Sequence, residues 1–147
     1  MFYQWVFIIH IVTTFFMTGL IWFVQVVHYP LFSKVGDADF VHYEEIHMRT
    51  TSYVVMPAML LELLSMPLLV YLHPEWLSAW WFWVDGIGLG IIWLSTFLFQ
   101  VPQHTRLLKS KDLDTIHKLV RTNWIRTVIW TLRSGILMAV IHEQLIS

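Results

Sequence analysis

Cysteine is absent from this chain of 147 residues, which excludes disulfides, thiolate metal sites and a cysteine nucleophile. Charge is scarce. Asp, Glu, Lys and Arg together make up 13% of the residues, about half the share of a soluble domain. A net charge of −1 gives no support to nucleic-acid binding. The first apolar run has neither a basic leader nor a small-residue cleavage site, and it ends in "HYP". It is therefore expected to persist as a helix rather than to be removed as a signal peptide.

What fills the chain instead is apolar. Hydrophobic residues make up 57% and aromatic residues 16%, with nine Trp and seven Met. Four runs reach the roughly 20 residues that cross a bilayer, at about 2–27, 47–72, 76–101 and 115–145. The expected fold is all-α: a single domain over 1–147, an integral membrane bundle of four helices. The "HPE" turn joins the second and third spans, and longer connections join the others. Eight of the nine basic residues lie in or near the two longer connections: Lys34, Arg49, Arg106, Lys109, Lys111, Lys118, Arg121 and Arg126. The positive-inside rule places those connections in the cytoplasm and both termini outside. Trp76, Trp80, Trp81 and Trp83 then mark the outer interface as an aromatic belt.

The two halves of the chain resemble each other. Pro30 and Arg49 in the first half match Pro102 and Arg121 in the second, each pair 19 positions apart. "RTT" at 49 matches "RTN" at 121. This pattern predicts two repeated helical hairpins related by an axis along the membrane normal.

Five of the eight histidines lie near the cytoplasmic face: His28, His42, His47, His104 and His117. Two stand in matched settings, Glu44-x-x-His47 and Asp114-x-x-His117. A carboxylate and an imidazole three residues apart share one helix face, and two such pairs match part of the ligand pattern of a di-metal carboxylate bundle, whose other two helices each supply a Glu where this chain offers only His28 and His104. The expected metal ligands are His28, Glu44, His47, His104, Asp114 and His117, with Glu45 able to complete the set. Imidazole with carboxylate suits iron, copper or zinc. The plainer reading is that acidic residues here only cap helix starts and that the histidines rest at the interface.

A second polar layer lies deeper. Glu62 follows His47 by 15 residues, Arg133 follows His117 by 16, Asp85 precedes Gln100 by 15 and His10 precedes His28 by 18. At 1.5 Å per residue all four come about 22–27 Å from the inner face. Charges at that depth must pair and face inward, so Arg133 is expected beside Glu62 or Asp85. In "RTNWIRTVIWTLRSG" (121–135), Asn123, Arg126, Trp130 and Arg133 follow the three-four spacing of one helix face. That face should point into the bundle, either as glue between helices or as a polar path or anion pocket.

On "WFVQVVHYPLF" and "LVRTNWIRTVIWTLRSG" the chain resembles small, uncharacterised four-helix bacterial membrane proteins, which implies the bacterial inner membrane and carries no activity. The first helix also resembles the four-helix bacterial protoporphyrinogen oxidase family, through His10, Gly19 and His28. That resemblance implies a haem, with His10 as its ligand.

Three functions are then open. The first is a membrane redox protein or oxidase holding a metal or haem through helix-end histidines. The second is an accessory or assembly subunit without cofactor, whether a homo-oligomer or part of a larger membrane complex. The third is a small transporter or proton conductor using the Glu62/Asp85/Arg133 layer.

Overall fold

The computed structural model describes residues 2–146. Four long helices hold nearly all of them: α1 (Phe2–Lys34), α2 (Phe40–Leu72), α3 (Ala79–Leu107) and α4 (Leu113–Ile146). Each is long and apolar enough to cross a membrane, and no strand occurs among the described residues. The chain is an all-α, multi-pass membrane bundle that exposes many large apolar and aromatic side chains, Tyr71, Trp83 and Leu98 among them.

The helices outrun the apolar runs at the end that carries the two basic connections, called the inner end after the charge-based expectation. Most of "HYPLFSKVGDADFVHYEEI" is helix, with only residues 35–39 between α1 and α2; between α3 and α4 only 108–112 remain. Hydropathy marks the part of a helix that meets lipid. An amphipathic helix continues past that boundary, because its inward face still has a core to cover. At the outer end the correction runs the other way, since Trp76 lies in the turn before α3. The Trp belt is also split: Trp80 and Trp83 face out, while Trp81 is fully buried.

α1 packs along α2 and α4, and α4 packs along α3, whereas α2 and α3 meet over only a short length. The bundle is therefore open on its α2–α3 side. Two apolar clusters fill it, one at the inner end around Phe32, Phe40, Leu107 and Ile116 and one at the outer end around Leu69, Trp81 and Leu137.

The repeat is visible in the backbone. A wide π turn occupies Val24–His28 in α1 and Thr96–Gln100 in α3, 72 positions apart, and Pro30 and Pro102 follow at the same offset. Tyr29 N–H reaches back five residues to the Val24 carbonyl, and Val101 N–H reaches Thr96 in the same way. Proline has no N–H and crowds the carbonyl four residues before it; the widened turn sits just ahead of each one. It also changes the phase of the buried face. In α3 that face runs Ile92, Thr96, Gln100, His104, in steps of four. Steps of four would drift by about 40° per turn in a regular α-helix, and the π turn absorbs the drift.

At the inner end Lys111 Nζ donates to the Val35 carbonyl at 2.6 Å and to Asp37 at 2.8 Å, tying the two connections together. Asp112 caps α4, accepting from Asp114 N–H at 3.1 Å and from the Thr115 hydroxyl at 2.5 Å. The Thr115 hydrogen bond is the main reason that the Asp112 carboxyl is held below its ordinary pKa.

Candidate metal centre

The outer polar layer has Arg133 at its middle. Its Nη1 donates to Glu62 Oε1 at 2.5 Å, and its Nε and Nη2 donate to the two oxygens of Asp85 at 2.8 and 2.9 Å. Glu62 also accepts from the Thr14 hydroxyl and from the Trp130 indole. His10 binds Asp85 Oδ2 through Nε2 at 3.0 Å and the Ser65 hydroxyl through Nδ1 at 2.8 Å. All four ionisable groups are essentially buried. Gly88 makes room for the arginine: a Cβ there would lie 2.8 Å from Arg133 Cδ, closer than packed carbons approach. His10 thus has both ring nitrogens engaged inside this layer, one on Asp85 and one on Ser65.

The inner layer gathers four of the six expected metal ligands. Glu44 and His47 face inward from the start of α2, and His104 meets them from α3. One donor atom of each lies within 4.8 Å of the others. Glu44 Oε1 accepts from His104 Nδ1 at 2.5 Å, and Glu44 Oε2 is buried with no partner. The Tyr29 hydroxyl holds the opposite nitrogen of His104 at 3.0 Å. His28 Nε2 lies 2.9 Å from His47 Nδ1, which also meets the Thr51 hydroxyl at 3.0 Å. Phe32, fully buried, packs edge-on against His28, His47 and His104.

Asp114 and His117 do not join this cluster; both are exposed on α4, as are Glu45 and His42 on α2. The inward face of α4 runs through Ile116, Leu119, Asn123, Arg126, Trp130 and Arg133. A residue one position after Ile116 is turned about 100° away from that face.

Asn123 and Arg126 extend the inner layer toward the outer one, Arg126 lining the same cavity as His47 and His104. Asn123 Nδ2 donates to Gln25 Oε1 at 2.9 Å, and Gln25 in turn donates to the Val120 carbonyl. Arg126 lies over the Trp130 ring at 5.5 Å and makes a long hydrogen bond to Thr96 at 3.4 Å. Asn123 Oδ1 and Arg126 Nε are buried without partners.

Sequence reasoning missed Tyr29, Thr51, Gln25, Ser65 and Thr14. Gln25 had a signal, as a polar residue inside an apolar run. Hydroxyl residues in a membrane helix have none, because they commonly bond back to their own helix.

Comparison with protein-family models, with curated proteins and with solved structures returns no match. The reading of this site therefore stands on its geometry.

Proposed function

We propose that this is an integral-membrane oxidoreductase, seated in the bacterial inner membrane with both termini outside. Its centre is a first-row metal held by Glu44, His47 and His104. The observation that carries the reading is Glu44, fully buried, with one oxygen on His104 and the other meeting nothing. A buried carboxylate oxygen without a donor costs free energy, and a cation between Glu44 and the two imidazoles removes that cost. Two histidines and one carboxylate are the donor set of non-haem iron oxygenases, and of zinc hydrolases as well; the oxidoreductase reading takes the redox-active choice, iron or copper. Iron or copper held there would supply one-electron chemistry.

The chain's own residues do the rest. Tyr29 fixes the far nitrogen of His104, the outer-shell support that ligand imidazoles need. His28 and Thr51 hold Nδ1 of His47. The aromatic wall of Phe32 and Tyr29 keeps water from the inner side. The outer layer, with Arg133 locked to both carboxylates, fits a lock between helices better than a conducting path.

The test is metal analysis of protein purified without chelators. Iron, copper or zinc is expected at substoichiometric or full occupancy. It should be lost in the double substitution His47→Ala, His104→Ala and kept in His117→Ala. A metal-free preparation that takes up none of the three when they are added would overturn the reading and favour an accessory subunit.

A further inference from the structure

Beside the cluster, reaching toward the middle of the membrane, is a cavity of about 150 Å³. Apolar cavities of that size take up one benzene ring. Its walls are rich in methionine, with Met17, Met48, Met56 and Met59 among them, and thioethers adapt to flat aromatic faces. It opens sideways on the α2–α3 side, where Ser52, Met56 and Val101 are exposed. A ligand entering there comes from the bilayer, so it must be lipid-soluble.

The wall also holds Arg126. This side chain is only 7% exposed and its Nε meets no acceptor. Among the described residues no carboxylate pairs with it, whereas Arg133 has two. A buried guanidinium with a spare N–H calls for an acceptor oxygen on whatever fills the space. Thr51, Gln100, His47 and His104 line the same cavity and provide for a second oxygen.

We infer that this cavity binds a one-ring quinone or phenol from the membrane, with the ring among the methionines and one oxygen accepting a hydrogen bond from Arg126. The inference deepens the metal reading by giving the substrate class. It rests on that reading for what becomes of the bound ring, while binding itself depends on Arg126 and the cavity.

The probe is phenol, one ring with one oxygen and so matched to the cavity, with 1,4-hydroquinone alongside. Saturable binding is measured by equilibrium dialysis in detergent, with metal content determined on the same sample and octanoate as a competing acid. Wild type should bind the ring compound. Arg126→Gln should weaken binding about tenfold or more, and Val55→Phe, which fills the cavity, should abolish it. Arg121→Gln, on the exposed face, should bind like wild type. If Arg126→Gln does not fold, Val55→Phe decides. Absence of saturable binding to wild type, binding that survives Val55→Phe, or displacement of the ring by octanoate at equal concentration would overturn the inference. Metal without ring binding overturns this inference alone. Ring binding by protein that takes up no metal leaves the inference standing and overturns the metal reading.

Discussion

The outer and inner polar layers use the same kinds of residue, arginine, carboxylate and histidine, inside one bundle, and they are finished differently. In the outer layer every ionisable group is matched: Arg133 meets Glu62 and Asp85, and His10 meets Asp85 and Ser65. In the inner layer Glu44 Oε2, Asn123 Oδ1 and Arg126 Nε have no partner, and a cavity lies among these residues. Charges inside a membrane are tolerated when they are paired. A layer that completes its pairs is a joint between helices. A layer that leaves donors and acceptors buried and unspent is shaped for something besides itself. The difference teaches where to look for function in a chain whose charged residues are few: in the incomplete set, not in the most heavily bonded one.

The comparison can be broken most directly at the two arginines. Arg133→Leu leaves two buried carboxylates without their main partner and should cost about 3–5 kcal/mol, read from unfolding in detergent. Adding Glu62→Leu should recover more of the loss than adding Asp85→Leu, because Asp85 retains His10 while Glu62 retains only neutral donors. If neither double variant improves on the single one, the outer layer is not held by these pairs. Arg126→Leu should behave in the opposite way. Removing a buried charge without a carboxylate partner should change stability by less than about 1 kcal/mol or raise it, the losses being the contact with Trp130 and the long hydrogen bond to Thr96. Equal destabilisation by the two arginine variants would erase the distinction between the layers.

The smallest effect belongs to Asp112, outside both layers. Its folded-state pKa is lowered, chiefly by the Thr115 hydroxyl, so its contribution is present above the unfolded-state value and is lost as pH falls through the folded one. The gap in melting temperature between wild type and Asp112→Asn should be present at neutral pH and close below about pH 4. A gap that persists in acid would show that the cap does not depend on the carboxylate charge.

The four helices were legible because apolar runs of membrane length are hard to mistake. Their inner ends were not, because residues such as Phe32, Phe40 and Leu107 that carry the helices onward lie in stretches of mixed polarity. The depth of Glu62, Asp85, His10 and Arg133 followed from the constant rise of a helix, which needs no knowledge of side-chain direction. The inner site demanded direction as well, and there the paired Glu-x-x-His and Asp-x-x-His motifs misled. The repeat offset of 72 already held the answer. It carries Glu44 to Ile116 and His47 to Leu119, both buried, and carries His42 and Glu45 to Asp114 and His117, all four exposed. Equivalent positions share a face; similar motifs at different positions do not.

The π turns have one more consequence, for how chains of this kind are to be lined up. Each holds one residue more than a regular helix needs to cover the same height, and no loop betrays it. A gap of a single position at 24–28 or 96–100 in a related chain would thus be a real structural difference. It would leave the helix unbroken while turning everything beyond it, His28 and Tyr29 in one half and His104 in the other, about 100° around the axis.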